Sequence, residues 1–169
     1  MAKATDNSST DIDSDEFRRA LGCFATGIAV VTSVDEDGGP IGMTVNSFNS
    51  VSLDPPLVLW SIANDSTRFE QFINAKYFAV NILSEHQEDM SVRFATRGID
   101  RFAGLQYKTG TGGIPRLPDY AACFECETEF CHEGGDHTIV VGRVLAFDDH
   151  ATDPLIFYRG HYNVRQVKR

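Results

Sequence analysis

The stretch GMTVNSFNSVSLDPP, Gly42 to Pro56, decides how the chain reads. Apolar residues punctuate it as in a buried strand, so Gly42–Ser52 is expected as one strand, ended by Pro55-Pro56. Its middle is polar. Thr44, Asn46, Ser47, Asn49, Ser50 and Ser52 place six hydroxyls or amides within nine residues. Buried polar groups are costly unless each finds a partner. Such a strand needs something beside it that offers many hydrogen-bonding atoms.

The flanking segments are strand-rich. Ile28–Val34 (IAVVTSV) is full of β-branched residues, and DEDGGP turns it toward the polar strand. Leu57–Ala63 and Tyr77–Leu83 read as strands. Ala122–His132 and His137–Asp148 read as two long strands joined by EGGD, and PLIFYRGHY supplies a last short one. Three helices are expected. The first runs from Asp15 to Ala25, capped by Ser14, striped by Phe17, Ala20, Leu21 and Phe24, and ended by Gly27. The second lies in NDSTRFEQFINA, where Thr67 and Glu70 match a capping box and Phe69, Phe72 and Ile73 face inward. The third opens at Ser84 with Gln87 and runs to Phe94. GIDRFAGLQYKTGTGGIPRLPDY is Gly- and Pro-rich and reads as a long loop, GTGG included. Strands that follow one another through short turns favour a mainly β, antiparallel barrel with peripheral helices.

Composition narrows the function classes. The 169 residues are 42% hydrophobic, an ordinary globular balance for one domain. Lys and Arg number 15 against 24 Asp and Glu, a net charge of −9, which argues against binding nucleic acid or anionic lipid. No apolar run approaches the ~20 residues that span a bilayer. Residues 1–13 read as a disordered polar tail without the pattern of a secretory signal, and residues 14–169 as the domain, so a cytoplasmic protein is expected. CFECETEFCHE suggests zinc at first sight. Its period is that of a strand, with Phe124, Cys126, Thr128 and Phe130 on one face and Glu125, Glu127 and Glu129 on the other. Cys123 and Cys126 then point to opposite faces and share no ion, so free thiols and no metal are expected.

No G-x-G-x-x-G or G-x-x-x-x-G-K-[ST] supports a doubly wound nucleotide fold. NDSTRF offers a different anion site: the first N–H groups of a helix, the Ser66 and Thr67 hydroxyls and the Arg68 guanidinium, with Arg93 as a second cation. Together with the polar strand, this suggests a phosphorylated cofactor with a polar heteroaromatic ring. On spacing alone the other reading stands beside it: Ser66 and Thr67 cap a helix and Arg68 sits in water.

The runs FRRALGCFATGIAVVTS, GMTVNSFNSVSLDPPLVLWSI, DSTRF, RFA, GGDHTIVVGRV and PLIFYRGHY, in that order from about Asp15 to Tyr162, resemble the short-chain flavin reductases of two-component monooxygenases. The resemblance implies an FMN-binding split barrel of Greek-key topology, a homodimer with flavin at the subunit interface, FMN or FAD as flavin, and a partner monooxygenase that receives it reduced. It implies that Asn46 and Ser47 lie along the flavin ring, Ser61, Ile62 and Ala63 line it, Thr67 and Arg68 hold its phosphate, and Arg93 and Phe94 complete the pocket. It implies a nicotinamide site from Pro40, Ile41, Gly42, Met43 and Thr44 together with Phe157, Tyr158, Arg159 and Gly160. His137, after the hairpin glycines, is expected to face the same cleft and is the candidate catalytic residue; a satisfied strand-end histidine is its other reading, and a surface ion pair that of Arg159. NADH is expected over NADPH, since no further cation for a 2′-phosphate stands out. Hydride passes from nicotinamide to flavin N5, so no acid or base in the protein is required and orientation is the protein's task. The alternatives are a flavin-binding module without turnover and a flavin-dependent oxidase of a small phosphorylated amine.

Overall fold

The computed structural model describes residues 12–162. In chain order the elements begin with α1 (Ser14–Leu21), β1 (Thr26–Gly27), β2 (Ala29–Val34), β3 (Pro40–Val45), β4 (Asn49–Leu53) and β5 (Pro56–Ala63). Then come α2 (Phe69–Ile73), β6 (Tyr77–Ile82), α3 (Glu88–Ala95), β7 (Lys108–Thr109) and β8 (Pro115–Arg116). The long hairpin β9 (Ala122–Gly134) and β10 (His137–Asp149) follows, and β11 (Ile156–Tyr158) and β12 (His161–Tyr162) come last.

Seven strands form one antiparallel sheet in the order β3-β2-β6-β9-β10-β5-β4. Val31, Ile41, Val58, Trp60, Phe78, Cys126 and Val140 come from six of these strands and meet in one buried cluster with Phe72 of α2. Strands from opposite ends of a sheet share a core only where the sheet curls on itself, so the expected barrel forms. Its two edge strands, β3 and β4, do not pair with each other. A second core lies on the outer face, where Val30 of β2 meets Phe94 of α3, Leu83, Leu117 and Leu155. Because successive side chains of a strand alternate between faces, burial on both sides explains why β2 is apolar over Ala29–Val31, and the buried Thr32 and Ser33 that follow donate to the Pro115 carbonyl and, at 2.7 Å, to the Tyr77 carbonyl.

Several elements differ from expectation. Gly42–Ser52 is two strands, interrupted at 46–48 where the chain crosses from one edge of the sheet to the other. The cap of α1 is Asp13, whose carboxylate accepts from the Asp15 and Glu16 amides at 2.9 and 2.8 Å, and the helix stops at Leu21 before Gly22. A carboxylate at that position satisfies two free amides at once, which the Ser14 hydroxyl one residue later does not. The apolar stripe of α1 is exposed at Phe17, Leu21 and Phe24. The capping box at Thr67 and Glu70 does not form. Instead α2 begins at Phe69, and the Ser66 hydroxyl accepts from the Arg68 amide at 3.3 Å. At α3 the reach-back contact is made, with Gln87 Oε1 accepting from the Ser84 amide at 3.0 Å.

Cys123 and Cys126 do point to opposite faces, Cys126 into the inner core and Cys123 beneath the 110–121 segment beside Ala79, Ile114 and Tyr120. All four cysteines are free. Burial pushes the Cys123 thiol up to about 11 and the Cys126 thiol to about 12, so both are neutral packing groups rather than thiolate ligands.

The acidic face of β9 is not uniformly solvated. Glu125 is buried, and its carboxylate accepts from the Thr111 amide at 2.7 Å and the Thr111 hydroxyl at 2.6 Å, with Arg116 Nη1 at 3.2 Å. The GTGG segment is therefore a turn wrapped around a carboxylate. Burial opposes the charge on Glu125, yet the Thr111 bonds and Arg116 outweigh it and hold the carboxyl below the usual glutamate value. A value depressed in the folded state stabilises the fold above the unfolded value, about 4.3, and that stabilisation is lost as pH falls through the folded value. The melting temperature of the protein should therefore drop more steeply below about pH 4.5 than that of Glu125→Gln. Thermal melts across that range check this, and parallel curves would mean that Glu125 carries none of the acid sensitivity.

Candidate functional site

The crossing at 46–48 is held by one hydroxyl. Ser47 Oγ accepts from the Ser61 amide at 2.9 Å and donates to the Ser61 carbonyl at 3.1 Å. The polar stretch thus finds most of its partners inside the protein. Thr44 Oγ1 donates to the Ser91 carbonyl at 2.6 Å, Asn49 Oδ1 accepts from the Ser50 amide at 2.9 Å, and Ser52 Oγ accepts from the Asp54 amide at 3.2 Å. The Asn46 amide is exposed and has no hydrogen-bond partner among the described residues.

The end of β5 meets the tip of the β9–β10 hairpin. Ala63 pairs with His137, and Asn64 donates to the Asp136 and Gly135 carbonyls at 2.9 and 3.1 Å while accepting from the Thr138 hydroxyl at 2.9 Å. His137 is exposed, its Nδ1 lying 2.8 Å from Asp136 Oδ1. Asn46, Ser47, Ser61, Ala63 and His137 are in this way strung along one end of the barrel, leading into the turn that carries Thr67 and Arg68.

Three of the expected lining residues turn inward. Ile41 and Ile62 belong to the inner core and Phe94 to the outer one, so only their backbones can line a cleft. Period-two alternation fixes this for the strand residues. Gly42 has a packing reason of its own: a Cβ there would lie 2.5 Å from Phe94 Cε1. Met43 is half-buried against the inner core, and Pro40 is exposed.

The C-terminal hairpin is tied elsewhere. Phe157 packs on the outer core, Arg159 Nη2 lies 3.0 Å from Cys23 Sγ, and the Arg159 guanidinium sits over the Tyr158 ring at 5.5 Å. Arg159 and Gly160 adopt φ of 48° and 84°, the left-handed turn that joins β11 to β12. Among the described residues no hydrogen bond or ion pair joins this hairpin to His137. Its link to the site is Ser91, which was not singled out from sequence: Ser91 Oγ and Tyr162 Oη are 3.0 Å apart, and the Ser91 carbonyl is the one that accepts from Thr44.

The cations differ most from expectation. Arg93 is anchored on backbone, with Nε on the Arg101 carbonyl at 2.6 Å and Nη2 on the Ala103 carbonyl, so among the described residues only its Nη1 lacks a hydrogen-bond partner. Arg101 in turn reaches β3, with Nη1 on the Gly42 carbonyl at 2.6 Å and Nε on the Thr96 carbonyl at 3.0 Å. The signal for Arg101 was present in the sequence, since Arg-Phe-Ala occurs twice, at 93–95 and 101–103. The two phenylalanines, Phe94 and Phe102, stack edge-on at 5.1 Å.

A family model described as a flavin reductase like domain matches residues 21–165. The chain belongs to that family. This flavin reductase-like chain is 49% identical over 150 residues to FMN reductase (NADH) SmoA of Agrobacterium fabrum, a match that covers 89% of the chain and 85% of SmoA. It is 44% identical over 147 residues to the reductase component of a flavin-dependent trigonelline monooxygenase of Acinetobacter baylyi, covering 87% of the chain but only 47% of that protein. The structure of the Streptomyces globisporus C-1027 NADH:FAD oxidoreductase SgcE6, solved in complex with NAD and FAD fragments, superposes with a TM-score of 0.85 at 34% identity and covers 99% of each chain. The barrel split between β3 and β4 is accordingly the family's split barrel.

The residues of this flavin reductase-like site fit a flavin nucleotide. The exposed Asn46 amide supplies donors and an acceptor for a polar ring edge, and among the described residues no carboxylate pairs with Arg68, whose Nη1 bonds the Gln71 amide oxygen at 3.0 Å. Ser47→Ala removes both bonds to Ser61 and frees the crossing, at a cost of ~1–3 kcal/mol per unpaired group. Flavin affinity should fall about tenfold or more in Ser47→Ala and also fall in Asn46→Ala. Fluorescence titration with FMN and FAD reads this, and unchanged affinity in both variants would take the crossing out of the site.

Proposed function

We propose that the protein is an NADH:flavin oxidoreductase that releases reduced flavin to a partner monooxygenase, and that it works as a homodimer. The observation that carries this reading is the double bond-pair between Ser47 and Ser61, which fixes the β3–β4 crossing against β5 and lines up Asn46, the Ser61–Ala63 backbone, His137 and the Thr67-Arg68 turn along one open end of the barrel. Bound flavin supplies the two-electron acceptor for a nicotinamide hydride. The chain's own residues bind and orient. The Asn46 amide and the Ser61–Ala63 backbone hold the ring edge, and Thr67 and Arg68 hold the phosphate. His137, kept in place by Asp136, and the Gly42–Thr44 backbone border the face on which the nicotinamide lies, with Arg159 on its pyrophosphate. SmoA and SgcE6 are named for NADH, which supports that donor. The relative named as a monooxygenase reductase component supports the partner.

Purified protein mixed with NADH and free FMN or FAD should consume NADH, seen as loss of the reduced-nicotinamide absorbance. No consumption with either flavin would leave only a binding module. His137→Ala and Arg159→Ala should raise KM for NADH while leaving flavin affinity nearly intact. Unaltered NADH kinetics in both would move the nicotinamide elsewhere.

The homodimer rests on a row of rings beside the site. Phe48, next to Ser47, stacks on Phe124 at 5.6 Å, and Phe124 on Phe147 at 6.2 Å. Phe147 is 68% exposed, and Leu53 of β4 is 95% exposed. Exposed apolar surface of this kind is what a second copy covers. Phe147→Asp should shift the protein toward monomer in light scattering and weaken flavin binding with it; a Phe147→Asp protein that keeps the wild-type mass would remove this row from the interface.

A further inference from the structure

The anion site cannot draw its charge from α2. That helix has five residues, and a single turn carries little of the dipole attributed to longer helices. The charge has to come from side chains, and an acidic chain of net −9 has few to spare. Yet three guanidiniums gather here. Burial, and after it the charges of Arg68 and Arg97, hold the Arg101 guanidinium below the usual arginine value, so Arg68 and Arg97 each lie within electrostatic reach of Arg101. Every close cation–carboxylate contact among the described residues is made by Arg18, Arg19, Lys76, His86, Arg116, His137 or Arg143. Arg68, Arg97 and Arg101 have none. Three unpaired like charges held together work against the free protein and in favour of an anion that joins them.

We propose that Arg101 is the principal cation for the flavin phosphate, flanked by Arg68 and Arg97, and that Arg93 is a positioning residue that aims it. The proposal rests on the flavin-reductase reading and assigns its phosphate site. Arg101 is held from two sides, by Nη1 on the Gly42 carbonyl and Nε on the Thr96 carbonyl, which leaves Nη2 to donate outward. Its own carbonyl is gripped by Arg93 Nε at 2.6 Å, so the residue is fixed at backbone and at side chain. Phe94 and Phe102 form the floor, and Gly42, where a Cβ would lie 3.3 Å from Phe102 Cζ and closer still to Phe94, lets β3 settle on them. A guanidinium fixed in this way loses little side-chain freedom on binding, which suits a phosphate dianion.

The test compares FMN with riboflavin, which has the same ring and no phosphate, by fluorescence titration of the purified protein. Arg101→Ala should weaken FMN about tenfold to a hundredfold and riboflavin by less than about twofold, and Arg101→Lys should restore part of the FMN affinity. Arg97→Ala should weaken FMN less than Arg101→Ala does. Arg93→Gln should weaken FMN in the wild-type background but add little in the Arg101→Ala background, because it acts through Arg101. Equal losses for FMN and riboflavin, or an Arg93→Gln loss that adds in full to that of Arg101→Ala, would overturn the proposal. So would unchanged FMN affinity with a raised KM for NADH, which would give the cluster to the nicotinamide pyrophosphate. A wild-type protein that binds FMN by its phosphate but never oxidises NADH would sink the reductase reading and leave this phosphate site standing.

Discussion

A sheet that curls into a barrel but does not close leaves two edges with unpaired backbone, and in this protein one serine deals with that gap. The Ser47 hydroxyl both accepts from and donates to the backbone of Ser61, doing for the crossing what a ladder pair does elsewhere in the sheet. Phe48 then turns onto Phe124 and Asn46 turns to solvent. From this fixed point β5 runs on to Ala63, which pairs with His137, and to Asn64, which holds the tip of the long hairpin.

Carbonyl-directed side chains organise the remainder. Asn81, fully buried, bonds the Val30 carbonyl and the Thr32 hydroxyl and accepts from the Leu117 amide, which ties the long loop to the wall of the barrel. Arg93 and Arg101 do the same for the segment after α3, and the Glu125 carboxylate of β9 holds the loop by accepting from Thr111 and pairing with Arg116. A loop of this length stays ordered because its carbonyls and amides are met by side chains from regular elements. The loop thereby delivers a cation to β3 without any secondary structure of its own at that point.

Charge is distributed with a similar division of labour. Acidic residues dominate the chain, while Arg68 and Arg97 act on Arg101, and none of the three has a carboxylate partner among the described residues. A negative surface discourages nonspecific anion binding, and a confined positive site focuses the field where a phosphate is wanted. On the proposed reading, a site of this kind would draw in the flavin phosphate while neutral hydrogen bonds hold the ring.

The sequence by itself determined most of the strands, the alternation that turns Cys123 and Cys126 to opposite faces, and the family, because period-two patterning and motif order are local properties of the chain. It also located Asn46, Ser47, Ser61, Ala63 and the Thr67-Arg68 turn, which the structure gathers at one end of the barrel. Tertiary structure alone decided where side chains point and whom they meet. Ile41, Ile62 and Phe94 lie within motifs, but their parity and packing bury them. Thr67 and Glu70 had the spacing of a cap, but the turn before Phe69 took another conformation. Arg93 was expected in the flavin pocket, and the structure adds bonds to carbonyls eight and ten residues further on that no local pattern foretold. Arg101 carries the repeated Arg-Phe-Ala motif, but its contact with Gly42 exists only once the loop has folded back. Contacts between residues distant in sequence depend on the whole chain's path, and no local pattern in the sequence specifies them.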